Sequence, residues 1–237
     1  MTLIKENNIS PVLSIIIPTL NESKNLPLLF SDLSEIYKDS EILIIDSISK
    51  DQTKDIALLY GMRFYKTNKK NRGFQLNYGA KKSKGEWLLF IHADSRLKVN
   101  WSKEIKSKLK KDPNFIYYFK FKVDNKFFTY RILEFFVNLR CLLFKCPYGD
   151  QGILINKKNF ERYRGYKNIP LMEDFDFIRR VKQKKFLKAL KTPIYTNSRK
   201  WEEVNFISQS LRNWRLRNLW IKGLPLNEIY EKYYENH

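Results

Sequence analysis

A chain of 237 residues, 43% of them hydrophobic, has the material for one large domain with a real core. Its 45 lysines and arginines against 25 aspartates and glutamates give a net charge of +20. That surplus favours anionic partners, whether phosphate-bearing substrates, an acidic membrane surface or nucleic acid, although a genome biased toward Lys, Asn and Ile would also raise it. Two cysteines, Cys141 and Cys146, make no disulfide framework and lack the companion ligands of a zinc site, so buried thiols in a reducing compartment are expected. No stretch reaches the roughly 18 apolar residues of a membrane span. Phe127 to Phe144 comes nearest and is interrupted by Arg131, Glu134 and Arg140. The N-terminus has no signal-peptide pattern, so the expected location is the cytoplasm, with the inner face of the membrane as its variant.

Val12 to Ile17 reads as a first strand, apolar and β-branched, with Pro18-Thr19-Leu20-Asn21-Glu22-Ser23 as the loop at its carboxyl end. Asn21 or Ser23 is expected to cap a helix running to about Tyr37, with Pro27 early enough to be tolerated. Glu41 to Ile45 is a second strand, ending in Asp46-Ser47-Ile48-Ser49-Lys50-Asp51-Gln52-Thr53. A helix follows to Tyr60 and stops at Gly61, then a short strand spans Arg63 to Tyr65. Asn71 to Asn77 opens another helix, which ends near Gly85. Trp87 to Ile91 is an unbroken apolar run, expected as a strand buried on both faces, and it delivers His92-Ala93-Asp94 at its carboxyl end. Open α/β sheets bind ligands at that edge, and Asp94 there could hold a divalent metal that in turn holds a diphosphate. An ordinary turn is the alternative. Alternating strands and helices of this kind predict a mainly parallel sheet. Neither a dinucleotide fingerprint nor a P-loop is present.

Ser14-Ile-Ile-Ile-Pro-Thr-Leu-Asn-Glu22, the loop from Asp46 through Asp51-Gln-Thr53, Arg72-Gly73-x-Gln75-x-Asn77-x-Gly79-Ala80 and His92-Ala93-Asp94 follow in order. Tyr148-Gly-Asp-Gln-Gly152, Pro170-Leu-Met-Glu-Asp174 and Ser198-Arg-Lys-Trp-Glu202 come after them. Together, across residues 12 to 233, these motifs resemble glycosyltransferase family 2, and within it the compact bacterial branch of rSAM/selenodomain-associated or arsenosugar-type transferases. The resemblance implies an α/β GT-A nucleotide-diphospho-sugar transferase fold with a mainly parallel central sheet flanked by helices. It implies sugar transfer from a nucleotide-diphosphate sugar to an unknown acceptor, inverting, with Mg2+ or Mn2+ as cofactor.

Carried onto this chain, the resemblance gives Asp174 as general base with Glu173 as second carboxylate. It gives Glu22, Asp46, Asn21 and Ser47 beside the nucleoside, with Pro18 and Thr19 offering main-chain contacts. Arg72 and Gln75 fall to the nucleotide sugar, and Asp94 with His92 to the metal. Asp150, Gln151, Arg199 and Trp201 fall to the acceptor or sugar. Blander roles compete. Asp51 suits a helix cap, Arg72 a solvated basic loop beside Lys69 and Lys70, Trp201 the core, and Glu173 and Asp174 the positive end of a helix dipole. The chain departs from the family where His92 replaces an acidic residue, and where Ser47, Ile48, Lys50 and Gln52 replace glycines.

The expected organisation is a single domain over 1–237: a nucleotide-binding half at 12–100, an acceptor and catalytic half at 101–204, and a helical appendage at 205–237. Phe127 to Phe144 and Phe206 to Ile221 are apolar, aromatic and punctuated by basic residues, which fits either packing on the domain or contact with an anionic membrane. Two rival functions stand beside the transferase. One is a nucleotide-sugar binder with weak or absent catalysis, motivated by His92. The other is a nucleic-acid binder, motivated by charge alone and opposed by dispersed basic residues and the lack of an RNA or DNA motif.

Overall fold

The computed structural model describes residues 11–182, 186–197 and 206–234. Arg199 and Trp201 lie outside the described residues. The strands are β1 (Leu13–Thr19), β2 (Ser40–Asp46), β3 (Arg63–Lys66), β4 (Trp87–Phe90), β5 (Arg96–Leu97), β6 (Phe115–Val123), β7 (Ile153–Asn156) and β8 (Phe186–Thr196). They form one sheet in the order β3-β2-β1-β4-β7-β6-β8-β5. The β3-β2-β1-β4 half is parallel throughout. In the other half β7 runs antiparallel to both β4 and β6, and β5 antiparallel to β8. The helices are α1 (Leu26–Leu33), α2 (Thr53–Leu59), α3 (Arg72–Lys82), α4 (Trp101–Leu109), α5 (Phe128–Phe144), α6 (Lys157–Arg162), α7 (Glu173–Val181), α8 (Phe206–Ile221) and α9 (Leu226–Tyr234).

The continuous apolar runs are explained by burial on both faces. Successive side chains of a strand point to opposite sides. Ile15, Ile17, Ile44, Trp87 and Leu89 enter one core layer with Leu29 and Phe30 of α1. Ile16, Leu43, Ile45, Leu88 and Phe90 enter the other with Phe160 and Phe177. Helix α3 lies close on this second face because Gly79 has no side chain: a Cβ there would sit 2.5 Å from Ile16 Cγ2.

The first helix is shorter than the sequence suggests. It begins at Leu26 and gives way after Leu33 to a 3-10 turn over Ser34–Asp39. The expected caps are engaged elsewhere. Asn21 takes a left-handed φ of 56° and its side-chain oxygen accepts from Lys50 N at 2.8 Å. Ser23 N donates to Asp51 at 3.0 Å. These residues tie the β1 loop to the β2 loop instead of starting a helix.

Asp51 makes the reciprocal contacts, accepting from Thr53 N at 3.0 Å and from Thr53 Oγ1. Burial raises its pKa, but hydrogen bonds from Ser23 and Thr53 outweigh that and pull it from 3.8 to about 2. A depressed carboxylate stabilises the fold above its ordinary pKa and loses that contribution as pH falls through the depressed value. Because Asp51 is well exposed, Asp51→Ala is expected to cost only about 0.5–1 kcal/mol at neutral pH in urea unfolding. The difference from the unsubstituted chain should fade between pH 4 and about pH 2. A difference that grows on acidification would contradict this.

Candidate active site

The carboxyl ends of β1, β2 and β4 converge on a cleft of about 610 Å³. Pro18, Thr19, Leu20 and Glu22 line it from the first loop, Ser47 from the second, and His92, Ala93 and Asp94 from the third. Lys70, Asn71, Arg72 and Gln75 close it at the start of α3, and Pro170, Leu171 and Glu173 at the start of α7. Tyr230 and Tyr233 of α9 complete the wall. This is the edge where open α/β sheets bind ligands.

Several residues expected to touch a ligand also brace the rim. Asp46 is 2% exposed and accepts from Thr19 Oγ1 at 3.0 Å and from Ser49 N at 2.9 Å. Gln75 lines the floor while donating to Thr19 O at 3.0 Å and Ile45 O at 2.6 Å, so α3 staples two strand ends together. Asn21 spans the two loops as described. Ser47 lines the cleft, and its hydroxyl donates to Lys69 O at 2.8 Å. Glu22 also lines it, with Oε2 accepting from Asn25 Nδ2 at 2.7 Å.

At the inner end four polar side chains meet. Arg72, on the first turn of α3, forms an ion pair through Nε with Glu173 Oε1. Its Nη2 lies 3.9 Å from Asp174 Oδ2, and its Nη1 lies 3.5 Å from His92 Nε2. A guanidinium only donates, so this contact is a hydrogen bond in the tautomer that leaves Nε2 without a proton. Asp174 Oδ2 also accepts from Gly149 N at 2.7 Å. A Cβ on Gly149 would lie 3.0 Å from His92 Nε2 and 3.2 Å from Asp174 Oδ2, so a glycine permits this close approach. Burial raises the Glu173 pKa, the Arg72 charge opposes the rise and the Asp174 charge adds to it. Burial would lower the Arg72 pKa, but Glu173 and Asp174 more than reverse that, so Arg72 stays charged.

Asp174 and Glu173 are thus brought together with Arg72 and His92, whereas the sequence motifs set Arg72 beside the nucleotide sugar and His92 beside the metal. Gln151 is placed differently. It is fully buried, donates to Phe119 O at 3.2 Å, and accepts from Arg140 and Tyr148 N at 3.3 Å each. It holds the 148–152 loop from beneath. Asp150 lines a separate apolar groove with Arg140, Tyr148, Trp214 and Arg217. Lys70, assigned to solvent from the sequence, lines the cleft. Tyr230 and Tyr233 belong to no motif in the sequence. Their only sequence signal is a short amphipathic run after Pro225, which says nothing about where it docks.

An α/β sheet with a polar cleft at its strand ends, floored by the first and fourth strands, defines a nucleotide-type site on the GT-A fold. The Glycosyl transferase family 2 profile matches residues 14–188, and the chain belongs to that family. It is 29% identical over 199 residues to an uncharacterized glycosyltransferase of Haemophilus influenzae, covering 78% of this chain and 64% of that protein. It is 42% identical over 94 residues to one of Rickettsia typhi, covering 38% and 29%. Among solved structures, Staphylococcus aureus TarS 1–349 in complex with UDP-GlcNAc superposes with a TM-score of 0.63 at 17% identity, over 79% of this chain and 58% of that one. A mannosyltransferase from Pyrobaculum calidifontis in complex with GDP-Man and Mn2+ gives 0.59 at 15%, over 89% and 61%. The matched region spans less than two thirds of each of these relatives. The narrower bacterial branch rests on the sequence motifs alone.

Proposed function

We propose that the chain is a metal-assisted, inverting glycosyltransferase that moves a sugar from a nucleoside diphosphate sugar to an acceptor hydroxyl. The observation that carries this reading is the cleft itself: Asp94, Arg72 and Glu173 line one space at the strand ends, and Asp174 stands beside Arg72 at its inner end. The UDP-GlcNAc and GDP-Man in the two solved relatives support a donor of that class. Pro18, Thr19, Glu22 and Ser47 form the part of the wall suited to the nucleoside, while Asp46, Asn21 and Gln75 keep its shape.

Asp94 is the carboxylate suited to a divalent ion. Among the described residues no cluster of three or more His, Cys, Asp or Glu could hold a metal. That donor set fits Mg2+ or Mn2+, which take one or two carboxylates and complete their shell with phosphate oxygens and water. When bound, the ion supplies charge neutralisation at the leaving diphosphate. His92 Nε2 lies 3.5 Å from Arg72 Nη1, a place suited to orienting that guanidinium.

In the transfer step the acceptor oxygen bonds to C1 of the sugar from the face opposite the diphosphate. The C1–O bond to the diphosphate breaks, and the nucleoside diphosphate leaves with the electron pair. Asp174 takes the hydroxyl proton, held in place by Gly149 N. Glu173 fixes Arg72, whose remaining positive charge faces the developing diphosphate. Asp174→Asn keeps the shape and removes the base. It is expected to lower kcat at least about 100-fold while leaving nucleotide affinity within twofold. Unchanged turnover would contradict the assignment, and nucleotide binding without turnover in the unsubstituted protein would favour the weak-binder reading.

The protein's second surface is the outward side of α5. Phe128, Ile132, Phe135, Phe136, Leu142 and Leu143 recur at helical spacing on one face, each 38–75% exposed. No described helix is long and apolar enough to cross a membrane. We read this stripe, on a chain of charge +20, as a contact with the surface of an anionic membrane. Co-sedimentation with phosphatidylglycerol vesicles is expected at low salt and should be lost in Phe135→Asp/Leu142→Asp. Absence of binding at low salt would remove the reading.

A further inference from the structure

Beside the α5 stripe, and separate from the cleft, lies a groove of about 450 Å³ between α5 and α8. Leu133, Phe136 and Val137 form one wall, and Leu211 and Trp214 the other. Phe136 belongs both to the groove and to the exposed stripe, so the groove opens onto that apolar face. Its polar residues are Arg140, Arg217, Tyr148, Asp150 and Asn213.

The two arginines are unusual. Both guanidinium groups lie against the ring of Tyr148, Arg140 at 3.7 Å and Arg217 at 4.9 Å from its centroid. Neither forms an ion pair with a carboxylate among the described residues, although the Asp150 charge in the same groove acts on Arg140, and Arg140 Nε is buried without a hydrogen-bond partner. Two guanidinium groups brought together out of water repel each other and lose hydration, and an anion between them offsets both costs. Burial and the nearby Arg140 charge lower the Arg217 pKa, which agrees with crowded cations. Arginine suits phosphate in particular, because its fork of donors matches the oxygens.

The same loop reaches the active site. Tyr148 stacks edge-on to Phe175 at 6.4 Å, and the next residue, Gly149, donates to Asp174. Phe175 in turn meets Trp220 of α8 at 5.7 Å. Tyr148 and Gly149 therefore join the groove's arginines to the proposed base through neighbouring residues of one loop.

We propose that this groove binds the acceptor, and that the acceptor is a lipid. Its hydrocarbon chain lies against Phe136, Leu211 and Trp214. Its phosphate sits on Arg140 and Arg217, and the hydroxyl carried beyond the phosphate reaches Asp174. This rests on the transferase reading and supplies its missing substrate class. The transfer step is the one written above, with the lipid hydroxyl as attacking oxygen and the nucleoside diphosphate as leaving group. The stripe on α5 then has a purpose: it brings the groove to the surface where such a lipid resides.

The test is isothermal titration of the full chain with dodecyl phosphate below its micelle concentration, alongside dodecyl maltoside and inorganic phosphate. Dodecyl phosphate is expected to bind at least tenfold more tightly than either control. Arg217→Gln and the exposed-wall variant Leu211→Asp are each expected to weaken it at least tenfold, with nucleotide-induced melting shifts unchanged. Equal binding of dodecyl maltoside would reduce the groove to a bare apolar patch. Equal binding of inorganic phosphate would reduce it to an anion site without a chain. Dodecyl phosphate binding that is indifferent to both substitutions would also overturn the proposal. Self-association that Leu211→Asp abolishes, without lipid binding, would give the groove to a second copy of the chain. The titration contains no donor and no turnover. Lost lipid binding beside intact nucleotide-induced melting shifts therefore sinks this proposal alone, whereas lipid binding in a chain that no nucleotide shifts removes the transferase reading and with it the acceptor role of the groove.

Discussion

The ion pair between Arg72 and Glu173 is the contact on which the site depends. It joins the start of α3 to the start of α7, residues far apart in the chain, and brings the two halves of the protein to one cleft. Glu173 is almost fully buried, while Arg72 is 40% exposed, so the pair is dry on one side and open to the cleft on the other. A buried carboxylate needs a partner, and a guanidinium needs more than one acceptor. Glu173 satisfies one edge of Arg72, and Asp174 and His92 stand near the rest. The packing enforces the arrangement. A Cβ at Gly73 would lie 2.4 Å from Lys167 O and 3.2 Å from Glu173 Cβ, so α3 and the entry to α7 touch where the chain has no side chain. Met172 enters α7 with a left-handed φ of 65°, which turns the two carboxylates inward.

Much of the first hundred residues was legible because their strands are buried on both faces. Such strands are written as unbroken runs like Ile15-Ile16-Ile17 and Leu88-Leu89-Phe90, and short polar loops must then fall at their ends. The second half was harder to read. Nothing in Ile153-Leu154-Ile155 says that it inserts between β4 and β6 in the opposite direction, because pairing direction is a property of the assembled sheet. The docking of α9 against the cleft was equally hidden, since Tyr230 and Tyr233 carry no motif.

The site shows the same division. The identity of Arg72, Asp94, Glu173 and Asp174 could be taken from local motifs, and all four line the cleft or its inner end. The motifs could not distinguish lining from bracing. Asp46 and Gln75 lie within motif stretches too, yet their hydrogen bonds are spent on Thr19, Ser49 and Ile45. The family's glycines in the Asp46 loop also prove informative. Ile48 stands in that loop with a φ of 60°, a conformation a β-branched residue adopts only under constraint. The loop keeps its turn because Asp46, Asn21 and Ser49 tie it from three sides.

The central claim is a nucleoside diphosphate site that works with a divalent ion on Asp94. The most direct measurement is the melting temperature with UDP, GDP, CDP, ADP or dTDP, each with and without Mn2+ or Mg2+, for the unsubstituted chain and for Asp94→Ala. A ligand at a hundred times its Kd adds about 2.7 kcal/mol to stability, which for a chain of this size raises Tm by very roughly 5–10 °C. Such a rise is expected with one nucleotide, dependent on the metal and absent in Asp94→Ala. A folded protein that no nucleotide shifts, or a shift indifferent to both metal and Asp94, would contradict it.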